Sequence, residues 1–251
     1  MLGDRAWMNL TQGKLNFKDK ITVLKKFMLP ATFNFAKSQF NMASTSHHLT
    51  RQEIKIPDTA IVKDALFELE QTHCQATILH SWRCYFWGVA IAQSKQWQFD
   101  DEIFLIASLL HDVALADPKN EYQSCQCFTF ESALRSESIC HRHDYPAHKS
   151  QKISDAICLH MNGYLDEKDH RLAKESLLLQ QATAYDVIGS EAQYISHHYQ
   201  TEILKHYPRT QFKTRFQDLM QQEAQRHPHA RPAFMNAFGL KLMIQFNHQL
   251  K

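Results

Sequence analysis

Glycine is the residue that most narrows the folds open to this chain. Only six occur in 251 residues, at positions 3, 13, 88, 163, 189 and 239. The usual level is roughly 7%. All six stand at least ten residues apart. A G-x-G-x-x-G loop, a P-loop and a G-x-S-x-G elbow each need glycines a few positions apart, so none can be written here. Dinucleotide binding, NTP hydrolysis and elbow-type serine hydrolysis therefore lack their usual loops. A fold rich in tight β-turns draws on the same residue and is disfavoured too.

What remains is helical. Ile61, Val62, Ala65, Leu66 and Leu69 recur at the spacing of one helix face. Pro57-Asp58 marks the start of that helix, with Asp58 as its N-cap. A second helix is expected over Ala76 to Ala92. A third opens on Asp100, Asp101 and Glu102, acids that suit a helix N-terminus, and runs to His111-Asp112. Residues 117–145 read as irregular or partly helical. Pro146 opens a helix that reaches His160, and further helices are expected over Leu172–Ile188, Glu191–Tyr207, Gln211–Arg226 and Pro232–His248. The expectation is an all-α fold. Residues 1–50 would form a basic helical extension, broken at Pro30, with a polar linker beginning at residue 41. Residues 51–251 would form one helical domain.

Charge bounds the partners. There are 28 Lys and Arg against 26 Asp and Glu. That near-neutrality argues against a dedicated nucleic-acid binder. Residues 1–40 are uneven, with seven basic side chains and two acidic ones. A basic arm of that kind can touch lipid or an acidic partner, but packing on the body is the simpler expectation. It is also long enough to pack on a neighbouring subunit, which would make the chain a homo-oligomer. No apolar run approaches 18 residues, so no stable membrane insertion is expected. Six cysteines, with no C-x-x-C, read as free thiols in a reducing cytoplasm, and Cys84 and Cys158 as core residues.

Chemistry enters where polar groups interrupt apolar helices. His111 and Asp112 end the run Ile103-Phe104-Leu105-Ile106-Ala107-Ser108-Leu109-Leu110. A carboxylate there is costly to bury without a cation or several hydrogen bonds. Adjacent helical residues point about 100° apart, so the two share one ion most easily at a helix end, which Asp117-Pro118 announces. His80 lies in another apolar, aromatic helix, on the side of Cys84 and Trp87. Asp186 lies in Ala182-Thr183-Ala184-Tyr185-Asp186-Val187-Ile188, and His160 ends Ala156-Ile157-Cys158-Leu159. Each alone has a plain explanation, a histidine bonded to a carbonyl or a capping aspartate. Two histidines and two aspartates in four apolar helices together supply the mixed N/O ligands that suit Zn²⁺, Fe²⁺ or Mn²⁺. The paired His47-His48, His141/His143, His197-His198 and His227/His229 fall in polar stretches and read as solvated surface. H-E-x-x-H is absent, against a zincin protease.

The order H…HD…D resembles the HD-domain superfamily of metal-dependent hydrolases. The surrounding blocks are similar to the HD-type cyanamide hydratases. They are Ile56-Pro57-Asp58-Thr59, His80-Ser81-Trp82-Arg83-Cys84-Tyr85-Phe86, Leu109 to Asp117, Phe130-Glu131, Asp155 to His160, Asp186-Val187-Ile188-Gly189 and Tyr207-Pro208-Arg209. The resemblance runs over roughly residues 56–248. Leu79 stands where that family often has asparagine, Ala133 near a usual glycine, and residues 1–50 have no evident counterpart. The resemblance implies an HD-type bundle with His80, His111, Asp112 and Asp186 as ligands of one divalent ion, zinc or iron. It implies water addition to a nitrile, cyanamide giving urea. Asp112 would serve at the reacting centre, Asp117 or Glu131 would relay the proton, and His160 and Arg83 would contact a small-molecule substrate. Two other readings compete. One is an HD-type phosphohydrolase acting on nucleotides or other phosphate esters, which would want basic side chains near the metal. The other is a non-catalytic helical interaction module, in which the four ligand positions would not converge.

Overall fold

The computed structural model describes residues 1–40, 49–247 and 250. Among them the chain is all-α, with no strand; Lys14 and Ala230 form a lone antiparallel bridge. In chain order the helices are α1 (Arg5–Thr11), α2 (Phe17–Thr22), α3 (Leu29–Phe40), α4 (Ala60–Glu70), α5 (Gln75–Lys95), α6 (Asp101–Leu110) and α7 (Val113–Ala116). There follow α8 (Phe128–Arg142), α9 (Ala147–Leu159), α10 (Lys174–Ile188), α11 (His197–His206), α12 (Phe212–Arg226), α13 (Arg231–Met235) and α14 (Lys241–Gln245). None of these is long and apolar enough to cross a membrane.

The centre is α6. A helix apolar on every side must be buried on every side, and Ile103 through Leu110 are all buried. Asp100 caps it, its side chain accepting from the backbone N–H groups of Glu102 and Ile103. Around α6 pack α4, α5, α8, α9 and α10. Helix α5 adds Tyr85, Phe86 and Trp87, all fully buried. Each such ring contributes about 2–3 kcal/mol by leaving water. The helices α5 and α6 cross at Gly88, where an added Cβ would stand 2.1 Å from Cζ of Phe104. Gly88→Ala is therefore expected to lower stability by about 1–3 kcal/mol, the usual cost of overpacking. Denaturant unfolding checks this, and a change below about 0.5 kcal/mol would contradict so close a crossing.

Several local expectations are corrected. Pro30 does not break the N-terminal helix. Residues Val23–Met28 widen into a π-helical stretch that joins α2 to α3, and the wider turn accommodates a residue with no N–H to give. The N-cap of α4 is Thr59, while Asp58 instead pairs with Lys63 at 3.0 Å. Within 117–145, expected to be irregular or partly helical, residues 128–142 form a regular helix. Their periodicity is hidden because the buried face mixes Thr129, Glu131, Ser132, Arg135 and Ser136 with apolar residues. The helix expected over Pro232–His248 is split at Phe238 and Gly239, the latter at φ 108°. His47 and His48 lie outside the described residues. All six cysteines are buried and free, Cys84 and Cys158 completely buried.

Candidate metal centre

Helix α5 supplies one edge of the site. His80, Arg83, Cys84 and Trp87 fall at i, i+3, i+4 and i+7, so they share a face. All four are buried. Helix α6 ends at Leu110, and Asp112 takes non-helical backbone angles, φ −114° and ψ 11°. That break lets His111 and Asp112, adjacent in sequence, turn towards one point. Helix α9 ends in the same region and brings His160, the first residue of a short 3-10 turn. His80, His111, Asp112 and His160 are all buried.

The hydrogen bonds fix which nitrogens face inward. Nδ1 of His111 donates to the Ser108 carbonyl at 2.8 Å, and Nδ1 of His160 to the Ile157 carbonyl at 2.7 Å. Nδ1 of His80 lies 2.7 Å from Oδ2 of Asp186. An ionised carboxylate only accepts, so His80 carries its proton on Nδ1. All three imidazoles thus turn Nε2 towards Asp112. Burial pushes His111 down to about 3, ahead of the opposing pull of Asp112, so that ring is neutral. Burial alone would raise the Asp112 carboxyl. The imidazoles of His111, His160 and His80 outweigh that and keep it below the ordinary carboxylate range.

Such an arrangement suits a cation. The Nε2 atoms of His80 and His111 are 3.2 Å apart, and the neutral His111 ring, with its proton on Nδ1, offers only a lone pair there. Oδ2 of Asp112 lies 3.6 Å from His80 Nε2 and 3.5 Å from His111 Nε2. Ligands about 2.0–2.2 Å from a tetrahedral ion stand roughly 3.3–3.6 Å from one another. The three atoms match one face of that tetrahedron. Oδ1 of Asp112 is buried without a hydrogen-bond partner among the described residues, and His160 Nε2 faces it at 3.4 Å. This buried His/Asp group, with Cys84 beside it, could hold a metal ion. Cys84 is the weakest candidate of the set. Its sulfur is 3.6 Å from both ring nitrogens of His80, against the ring rather than along either lone pair. Burial, and then the charge of Asp186, pushes its thiol well above the ordinary value.

Asp186 stands behind His80. Oδ1 accepts from Arg83 Nε at 2.8 Å and Trp87 Nε1 at 2.9 Å, and Oδ2 from Arg83 Nη2 at 2.8 Å as well as from His80. Burial would raise this carboxyl, but Arg83, Arg209 and these hydrogen bonds hold it well below the ordinary value. In this arrangement the expected fourth ligand is fully engaged on the far side of the His80 ring. Trp87 and Arg209 belong to this group although the sequence analysis gave neither a role in the site. Trp87 was legible as an indole donor two turns along the face of His80, and Arg209 only as part of the Tyr207-Pro208-Arg209 block.

A cavity of about 70 Å³ opens over the inward-facing atoms, with His80, His111, Asp112 and His160 in its wall. Arg83, Asp117 and Glu131, expected at the reacting centre, do not line it. Arg83 is spent on Asp186 and on the Tyr207 and Pro208 carbonyls. Glu131 accepts the Lys119 backbone N–H at 2.8 Å and lies 3.7 Å from Arg135. Burial raises its carboxyl. Arg135 also donates to the Asp117 carbonyl at 2.7 Å and pairs with Glu68. The two acids thus close the loop before α8 around one arginine, away from the histidines. Phe212 stacks on the His80 ring at 4.7 Å. Of the histidines expected at the surface, His141, His197, His198 and His229 are exposed, whereas His143 and His227 are partly buried, His143 reaching Asp64 at 3.2 Å and His227 reaching buried Glu223 at 2.9 Å.

No protein-family model matches the sequence. Two proteins of Saccharomyces cerevisiae, cyanamide hydratase DDI2 and cyanamide hydratase DDI3, are each 26% identical over 160 residues. The match covers 59% of this chain and 66% of each relative, a little under two thirds of their length. The chain is thus distantly similar to cyanamide hydratases, and its buried His/Asp cluster is of the kind that holds a metal ion.

Proposed function

We propose that the chain is a metal-dependent hydratase that adds water to a small, uncharged nitrile, with cyanamide to urea as the reference reaction. His80, His111 and Asp112 hold the ion, zinc or iron, Asp186 orients His80, and His160 faces the fourth position. The observation that carries this reading is the cavity. It ends on the His/Asp cluster, and no lysine or arginine among the described residues lines it. A phosphate ester would arrive with charge that this wall does not meet. The convergence of the cluster also speaks against a purely structural module. Similarity to two cyanamide hydratases supports the same reaction class.

A divalent ion held here supplies Lewis acidity and makes water nucleophilic near neutral pH. The protein does the rest. Water oxygen bonds to the nitrile carbon, and both water hydrogens finish on the nitrogen, giving the amide (urea from cyanamide). Oδ1 of Asp112, unpartnered and 3.4 Å from His160 Nε2, accepts the proton released by the attacking water. His160 passes it on to the nitrile nitrogen, giving the hydroxy-imine, and the remaining O–H proton moves to the same nitrogen by the same pair as this tautomer becomes the amide. Phe216 and the apolar wall keep bulk water from competing. Asp117 and Glu131 serve structure, by fixing the loop to Arg135.

Metal analysis of the purified chain, followed by urea release from cyanamide and phosphate release from a nucleotide panel, tests the proposal. The expected result is bound metal, urea and no phosphate. Bound metal with phosphate and no urea would replace it by the phosphohydrolase reading.

A further inference from the structure

The cavity extends well beyond the cluster, and its far part has a different chemistry. Met28, Met161, Met235 and Met243 line it, with Leu240 and Phe216. Two of its polar residues are turned into the backbone. Gln180 donates its amide to the Gly163 carbonyl at 2.9 Å, and Thr183 donates its hydroxyl to the Gln180 carbonyl at 3.0 Å. Much of this wall comes from the two ends of the chain rather than from the helices that carry the cluster. Met28 and Ala31 belong to the N-terminal arm, and Met235, Leu240 and Met243 to the segment from α13 to α14. The ends meet at Gly163, where an added Cβ would lie 3.3 Å from Met235 Cε and 3.5 Å from Ala31 Cβ. Methionine side chains are flexible and adapt to varied apolar shapes.

We infer that the substrate of this site carries an apolar substituent of several carbons on its reacting carbon, seated in the methionine-lined wall between the two chain ends. This deepens the proposed hydratase and rests on that reading for the reacting group. Cyanamide has no alkyl group with which to meet the apolar wall. Each methylene buried there contributes about a fourfold gain in binding.

The test uses the full, metal-loaded chain with acetonitrile, propionitrile, butyronitrile, pentanenitrile and cyanamide. The inference predicts that kcat/KM rises about threefold to fourfold per methylene through pentanenitrile, and that pentanenitrile exceeds cyanamide. Met243→Asp, or Met28→Asp should the first fail to fold by circular dichroism, is expected to lower the pentanenitrile to acetonitrile ratio at least tenfold. A flat series with cyanamide preferred would overturn the inference and leave the hydratase reading in place. Binding is read separately by saturation-transfer NMR. If no nitrile is hydrated, yet pentanenitrile binds more tightly than acetonitrile and loses that advantage in the aspartate variant, the apolar specificity stands and the hydratase reading falls. If neither cyanamide nor any other nitrile is hydrated and pentanenitrile does not bind, both fall.

Discussion

His111→Ala is expected to empty the metal centre and abolish hydration, while leaving a folded chain. The ring contributes one of three atoms that stand 3.2–3.6 Å apart. Two remaining ligand atoms define no tetrahedral face. The loss of metal affinity should exceed the about 10–100-fold that removal of an orienting partner costs. The fold is expected to tolerate the change because His111 follows the last residue of α6 and lies at a break between helices, so truncation leaves the ladder of that helix intact. Titration of the metal-free variant with Zn²⁺ by calorimetry checks the first part and circular dichroism the second. A variant that binds as tightly as the wild type would place the ion elsewhere.

Asp186→Asn is expected to act in another way. Its carboxylate neutralises Arg83, whose side chain is completely buried, and a buried charge deprived of its partner costs about 3–5 kcal/mol. The variant should therefore lose stability on that scale. Its metal affinity should fall only about 10–100-fold, because His80 keeps its place but loses the charged acceptor for its Nδ1 proton. Adding Arg83→Met should recover much of the stability without restoring affinity, since it removes the orphaned charge and leaves His80 unsupported. Loss of metal as complete as in His111→Ala would instead identify Asp186 as a direct ligand. Denaturant unfolding and calorimetry on the single and double variants separate the outcomes.

The contrast between these two residues marks how far the sequence could be read. His80, His111 and Asp112 were legible because each interrupts an apolar helix, and the helix break at 111–112 was legible from the Asp117-Pro118 stop. Asp186 was legible as a buried acid that needs a cation. A linear sequence does not say whether that cation is a metal or an arginine. Arg83, itself a charge within an apolar helix one turn from His80, held the clue. Asp117 and Glu131 looked like proton relays for the same reason that Arg135 could claim them. They are acids that follow the HD pair in sequence, and only the fold shows that both meet Arg135. The cavity wall was the least legible part. Met28 and Met235 are more than 200 residues apart in the chain, and no periodicity in either segment announces that they meet. The all-α architecture, by contrast, was readable from the glycine shortage and helical spacing, apart from Pro30, where a π-helical stretch absorbed the expected break.

X-ray absorption at the metal edge of the purified chain tests the central claim most directly. The arrangement of His80, His111 and Asp112 predicts a bound zinc or iron ion, close to one per chain, with only nitrogen and oxygen neighbours at about 2.0–2.2 Å and imidazole scattering beyond them. A sulfur neighbour at about 2.3 Å would bring Cys84 into the coordination shell, and absence of any bound ion would remove the centre itself. Either result would contradict the account.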